Sequence, residues 1–285
     1  MKSRSIHSVD SVKNSDFNFA SIKASAFQAS HRAYHFICRR KNSSGRISPG
    51  IAAGRKIPLR IILQAQIRTT KMNTITSRYR WGSAAVPHTA AYLHSHIIAA
   101  CRRVSANRIL DLGCGNGALC ASLRSAGFDV VGCDPSEDGI AIARRAYPGI
   151  PFHKLGVYDS PAALDSNGFD VVVSTEVIEH LFLPRSLPRF AATVLRSGGH
   201  LVLTTPYHGY LKNLALSLSG KWDWHFTALR DGGHIKFWSR ATLSRLLSEE
   251  GFSVSEFIGT GRCPYLWKSM ILIARTRKKP NGHAS

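Results

Sequence analysis

Three stretches of this 285-residue chain carry residue types at spacings that can do chemistry. The first is Ile109-Leu-Asp-Leu-Gly-Cys-Gly-Asn-Gly-Ala118, an apolar run that passes into three alternate glycines and then helix-forming residues. Gly113, Gly115 and Gly117 let the backbone turn tightly and approach a bound ligand where a Cβ would intrude. The acid ahead of them, Asp111, would repel a phosphate and suits a ligand that carries an ammonium group. The second is Asp134, about twenty residues further on at the end of the apolar run 128–133, where a carboxylate can accept both hydroxyls of a ribose. The third is Glu176-Val-Ile-Glu179-His180. If that segment is helical, Glu176 shares a face with Glu179 and His180 at i, i+3 and i, i+4. Such a set could hold a divalent cation, since carboxylate oxygens and neutral imidazole suit Mg²⁺, Mn²⁺ or Zn²⁺. Alternatively one acid touches a cofactor and the histidine serves a substrate.

Alternating short apolar runs and helical periodicities position these residues. Residues 87–103 read as a helix with Ala90, Leu93, Ile97, Ile98 and Cys101 on one side, placed to lid a pocket. Strands are expected over 108–112, 129–133, 151–157, 169–174 and 200–205, and helices over 118–126, 136–147 and 184–195, with a turn at Gly198 and Gly199. The run 169–174 is almost wholly apolar, which predicts a central strand buried on both faces. A capped helix over 239–250 stops at Gly251, and 252–258 with 270–275 should close the sheet as an antiparallel pair. This alternation predicts a doubly wound α/β sheet that binds ligands outside the carboxyl ends of its strands. The stretch 206–238 is longer than an ordinary connection. It carries Tyr207, Tyr210, Trp222, Trp224, Phe226, Phe237 and Trp238 with His208, His225 and His234, and reads either as an apolar wall for a substrate or as a cap packed on the core.

The Asp-x-Gly-x-Gly-x-Gly string resembles the first motif of the class I S-adenosylmethionine-dependent methyltransferases, and the following strand ending on Asp134 fits the same pattern. The glycine spacing disfavours a dehydrogenase on similar architecture. The resemblance covers roughly residues 85–275. It implies a Rossmann-like, doubly wound, seven-stranded sheet with the aromatic-rich insertion after strand five. By position, the residues that match the family's cofactor contacts are Asp111, Gly113, Cys114, Gly115, Gly117, Asp134, Pro135, Tyr158, Asp159 and Thr175. The stretch Gly232-Gly-His234-Ile-Lys-Phe-Trp-Ser-Arg240 is similar to one in two metal-using groups. These are the polyprenyl-dihydroxybenzene O-methyltransferases of ubiquinone biosynthesis and the small-RNA 3′-terminal 2′-O-methyltransferases. Carried over by motif, Glu176, Glu179, His180 and His234 match the ligands of a Mg, Mn or Zn ion, and Glu176, His180 and His234 the catalytic groups. The implied activity is O-methylation of a catechol-like, quinol-like or lipid-linked small molecule. The alternatives are an RNA or sugar 2′-O-methyltransferase and a non-catalytic S-adenosylmethionine-binding protein.

Composition bounds the rest. The formal charge is +21, and residues 1–71 hold fourteen Lys or Arg against only Asp10 and Asp16. This leader is rich in Ser, Lys and Arg without a sustained period. It reads as an over-extended reading frame ahead of Met72, a targeting segment or a basic arm. Residues 72–106 are expected to form a lid region, 107–276 the catalytic domain and 277–285 a basic tail. The remaining positive charge points to an anionic partner, which leaves nucleic acid and a membrane surface open beside a small-molecule acceptor. No apolar run is long enough for a transmembrane helix. The six cysteines form no C-x-x-C pair and read as reduced thiols of a cytoplasmic protein, or a mitochondrial one if the leader is a transit segment.

Overall fold

In a computed structural model, residues 81–164, 168–226 and 228–277 are described. The leader 1–71 and nearly all of the tail lie outside them. A helix α1 (Ala90–Arg103) leads into β1 (Arg108–Leu112), α2 (Ala118–Ser125), β2 (Asp129–Asp134), α3 (Glu137–Ala146) and β3 (Phe152–Lys154). There follow β4 (Phe169–Thr175), α4 (Ser186–Val194), β5 (Leu195–Pro206), α5 (Tyr210–Leu218) and α6 (Trp222–Phe226). The last elements are α7 (Arg240–Glu249), β6 (Phe252–Thr260) and β7 (Ser269–Thr276). The seven strands form one sheet in the order β3-β2-β1-β4-β5-β7-β6, parallel from β3 to β5, with β7 antiparallel to both β5 and β6.

Strand alternation sorts the apolar residues into two cores. Ile109, Val171, Val173 and Val202 face α1, α2 and α3, whereas Leu110, Val172, Leu201 and Leu203 face α4 and α7. Val171, Val172 and Val173 are fully buried, as expected of a central strand covered on both faces. The caps are those the sequence encodes. Ser136 accepts from Gly139 N (3.1 Å) at the start of α3, and Ser239 forms a reciprocal capping box with Thr242 at the start of α7.

Four elements differ from expectation. Strand β3 stops at Lys154, because it pairs only with Gly132–Asp134 at the sheet edge and the chain then turns at Gly156, whose N–H is held by Asp159 (2.8 Å). Strand β5 begins at Leu195 instead of 200; its pairing with β4 shifts register between Phe169 and Val171, so 196–199 form an irregular stretch around Gly198. The helix α1, expected as a lid, packs one face as a core layer, with Leu93, Ile97, Ala100 and Cys101 fully buried. The chain just before it, residues 81–85, is what reaches the glycine turn. Finally, 206–238 is not a loop but holds two helices, α5 and α6. No helix among the described residues is long and apolar enough to cross a membrane.

Candidate active site

At the carboxyl end of β1 the backbone turns through three residues in the left-handed region: Gly113 (φ 89°), Gly115 (φ 52°) and Gly117 (φ 81°). Both Gly113 N and Cys114 N donate to Cys133 O, at 2.7 and 3.0 Å, which ties the turn to the end of β2. A Cβ on Gly113 would collide with Val177, and one on Gly117 would press on Phe152 and Ala143, so the third glycine seats α2 against the sheet. Asp134 fastens the same turn from the other side. Its carboxylate accepts from Gly115 N (2.9 Å) and Ser136 N (2.8 Å), linking the glycine turn to the start of α3. Burial raises its pKa, against the pull of those two backbone donors.

Asp111 lies beneath this turn, 1% exposed. One carboxylate oxygen accepts from the Cys120 thiol at 3.2 Å, while Oδ1 has no hydrogen-bond partner among the described residues. Burial pushes its pKa up to about 7; Cys120 opposes this and Asp134 adds to it. Thr175 Oγ1, at the end of β4, is a second buried polar atom without a partner there. The other expected contacts have protein partners: Asp159 holds Gly156 N, and the Tyr158 hydroxyl accepts from Leu183 N at 3.2 Å. Pro135 stands against Gly156 across the mouth of the cleft.

The acidic segment is not helical at its start, so the shared helix face for Glu176, Glu179 and His180 does not form. Glu176 has φ 55°, a conformation that costs a residue with a side chain about 1–3 kcal/mol, and only Ile178–His180 make a 3₁₀ turn. That backbone sends the two acids in different directions. Glu176 accepts from Thr204 Oγ1 (2.9 Å) and Ser269 Oγ (3.3 Å), and burial raises its pKa to about 7. Glu179 is fully buried and accepts from Thr205 Oγ1 (2.9 Å). Burial and then the charge of Glu176 raise its pKa well above the usual carboxylate range.

His234 arrives from 55 residues away in sequence because Ile235 N and Lys236 N both donate to Glu179 O, each at 2.9 Å. His180 Nδ1 lies 2.8 Å from Gly232 O and 3.2 Å from Gly233 O. Two carbonyl acceptors require that nitrogen to be the donor, so in the neutral ring Nε2 presents its lone pair, 3.9 Å from Glu179 Oε1. The His180 and His234 rings stand edge-to-face with centroids 4.9 Å apart. Burial lowers the pKa of both, that of His234 to about 4. One ligand atom each of Glu179, His180 and His234 lies within 4.8 Å of the others. Three of the four expected metal ligands therefore meet, and Glu176 does not join them.

A model of the methyltransferase domain matches residues 84–256. The chain belongs to this family. It is an S-adenosylmethionine-dependent methyltransferase, and its sheet is that of class I. It is similar to ubiquinone biosynthesis O-methyltransferases. The one from Aromatoleum aromaticum is 27% identical over 56% of this chain and 70% of that protein, and the one from Sinorhizobium medicae 36% identical over 39% and 45%. Among solved structures, an S-adenosylmethionine-dependent methyltransferase of Clostridium acetobutylicum superposes with a TM-score of 0.50 at 11% identity, covering 68% of this chain and 93% of that one. The YcgJ protein of Bacillus subtilis gives 0.51 at 14% identity, covering 65% and 98%. Both show likeness of fold.

Five groups at the acidic end of this methyltransferase escape a reading of its motifs. Thr204, Thr205 and Ser269 are buried strand-end residues of β5 and β7 that supply the hydroxyls for Glu176 and Glu179. Tyr92 of α1 lies near Ser269, and its pKa is raised by burial and then by Glu176 and Glu179. The fifth is Lys212, only 6% exposed, whose Nζ donates to Lys268 O (3.1 Å). Burial, then Arg262, lowers its pKa to about 8, while Glu176 pulls the other way. One signal was available. On α5 the polar Lys212 and Asn213 point inward while Tyr210, Leu211, Leu214 and Leu218 fall within one exposed stripe, an inverted amphipathic helix.

The insertion packs at its base and carries a cluster of rings beyond it. Tyr207 and Trp238 are buried in the core, each 9% exposed, and bridge to one another at its base. His208, His225, Phe226 and Phe237 form a ring cluster with centroid spacings between 4.4 and 6.1 Å. Tyr210 and Trp224 remain exposed.

Proposed function

We propose that this methyltransferase transfers a methyl group from S-adenosylmethionine to a hydroxyl of a catechol-like, quinol-like or lipid-linked small molecule. The observation that carries the reading is the convergence of Glu179, His180 and His234 beside the cofactor edge of the sheet. On this reading Asp111, Gly113, Cys114, Gly115 and Asp134 hold the cofactor, with Thr175 at the end of β4. Asp111 Oδ1 and Thr175 Oγ1, two buried oxygens without a partner among the described residues, fit a ligand that brings its own donors. Gly117, Pro135, Tyr158 and Asp159 shape the turn and the mouth.

A methyl sulfonium supplies the electrophile. The difficulty lies with the acceptor, because a phenol or ribose hydroxyl is mostly protonated near neutral pH. His180, its Nδ1 committed to Gly232 O, can take that proton on Nε2. Glu179, His180 and His234 also fit a divalent ion, with two neutral imidazoles, one carboxylate and a backbone carbonyl orienting a ring. Such an ion, Mg, Mn or Zn, would lower the pKa of a bound hydroxyl and hold it in line. Glu176, hydrogen-bonded to Thr204 and Ser269, is a positioning group for that cluster. The names of the ubiquinone-pathway relatives support the substrate class, and the outward leucines of α5 support a lipid-linked acceptor met at a membrane surface.

The test is a methyl-transfer assay on purified protein with a panel of catechols, short-chain quinols and single-stranded RNA, before and after exhaustive chelation and with Mg²⁺, Mn²⁺ or Zn²⁺ added back. Product on a catechol or quinol, lost on chelation and restored by one ion, is the expected result. Product on RNA alone would overturn the substrate class, and activity that survives chelation would leave His180 as base without a metal.

A further inference from the structure

The structure assigns a cofactor-contacting role to Trp81, which lies outside every motif that brought the cofactor site to notice. The segment 81–85 is strapped to the glycine turn by Asn116, which is 1% exposed. Its Nδ2 donates to Ser83 O (3.0 Å) and Ala85 O (2.9 Å), and its Oδ1 accepts from Ala118 N (3.3 Å) at the start of α2. Every polar atom of that carboxamide is thus used in holding the strap against the turn.

The strap delivers an indole to one place. Trp81 lies so close over Gly115 that a Cβ there would collide with its ring, and a Cβ on Gly139 would lie 3.0 Å from its Cδ1. The ring therefore spans the gap between the N-termini of α2 and α3. These are the two backbone stretches that Asp134 ties together through Gly115 N and Ser136 N. Because Asp134 is the residue placed to accept ribose hydroxyls, the indole borders the nucleoside half of the cofactor site. Trp81 is itself only half-buried, so part of the residue stays accessible beside the turn. A flat aromatic face at the purine end contributes by stacking, whichever way the purine edge is read. Gly115 and Gly139 are then glycines for a second reason: a side chain at either would displace the ring.

This rests on the cofactor assignment and deepens it, and the experiment separates the two. The full-length protein is titrated with S-adenosylhomocysteine, adenosine and methionine while tryptophan emission is followed, with calorimetry alongside. Of the five tryptophans, Trp222, Trp224, Trp238 and Trp267 belong to the insertion and the β6–β7 end. The expected result is a change in emission with S-adenosylhomocysteine and adenosine but not with methionine. Trp81→Phe should abolish most of that change while keeping affinity within about threefold. Trp81→Ala should weaken S-adenosylhomocysteine by about tenfold or more. Thermal midpoints without ligand show whether either variant has lost its fold, and Trp81→Phe, which keeps the aromatic ring, carries the test if Trp81→Ala does. An emission change that persists in Trp81→Phe, wild-type affinity in a folded Trp81→Ala, or a response to methionine alone would overturn the role of Trp81. Absence of any binding by the wild-type protein would overturn the cofactor assignment itself.

Discussion

Around the glycine turn the hydrogen-bonding groups are drawn mainly from residues 111–139, with the strap 81–85 laid over them, and most of the bonds are made by backbone N–H donors. At the acidic end the shaping groups are side chains from five places: Tyr92, the segment 176–180, Thr204 and Thr205, Lys212 with His234, and Ser269. The first region needs particular backbone angles, which only glycine adopts cheaply. The second needs particular chemistry in a dry setting, and it carries two buried carboxyl groups whose pKa values burial raises, that of Glu176 to about 7. A cofactor shared by a whole family suits the first kind of construction, whereas an acceptor that differs between members suits the second, where single side chains can change without breaking the turn.

The sharpest way to break this contrast is Gly113→Val. It forces a β-branched residue to φ 89° and drives it into Val177, so S-adenosylmethionine binding should fall beyond detection by calorimetry and the thermal midpoint should drop by several degrees. Retained affinity would show that the turn is not the cofactor site. Asp134→Ala, which frees Gly115 N and Ser136 N, should cost about ten- to a hundredfold in the same measurement. At the other region, His234→Ala and Glu179→Gln should lower kcat by about 10²–10⁴-fold while the dissociation constant for S-adenosylmethionine stays within about threefold. A parallel loss of cofactor affinity would mean that the two regions are not separable.

A smaller effect concerns pH. Asp111, Glu176 and Glu179 all have folded-state pKa values above their ordinary ones, with Asp111 moved from 3.8 to about 7. An acid whose pKa is raised on folding binds more protons in the native state between the two values, so stability falls as pH rises through that window. The thermal midpoint of the ligand-free protein should therefore decline from about pH 4 to pH 7, and Asp111→Asn should flatten the decline. A midpoint that climbs over the same range would contradict the burial of these carboxyls. The smallest effect is expected from the leader. Among the described residues, which begin at residue 81, the contacts named in both regions need nothing from the leader, so a chain begun at Met72 should keep its cofactor affinity and shift its midpoint by no more than about 2 °C. A larger shift would show that the leader packs on the domain.

Legibility in the sequence followed the range of the interactions. The glycine turn, the Ser136 and Ser239 caps and the central strand β4 were all readable, because each rests on neighbours within a few residues. The boundaries of β3 and β5 were not, since β3 ends where its partner strand ends and β5 absorbs a register shift across the sheet. The insertion was visible as a composition, but its two helices were hidden because α5 turns Lys212 inward and its leucines outward, against the usual sense of an amphipathic pattern. Trp81 lay outside the motifs altogether; what brings it to Gly115 is the carboxamide of Asn116, which the string Gly-Asn-Gly does not reveal.

What the sequence determined by itself was the cofactor architecture. Alternating glycines after an apolar strand, an acid one strand later and βα periodicity each follow from local steric and hydrophobic rules, and together they leave few topologies. What only the tertiary structure decided was the composition of the acidic site. Residues 176, 179 and 180 are near one another in any conformation, yet the left-handed backbone at Glu176 turns it to Thr204 and Ser269. The hydrogen bonds from Ile235 and Lys236 to Glu179 O then bring His234 across instead. Which side chains converge depends on backbone direction at one strained residue and on pairings more than fifty residues long, and neither leaves a periodic trace in the chain.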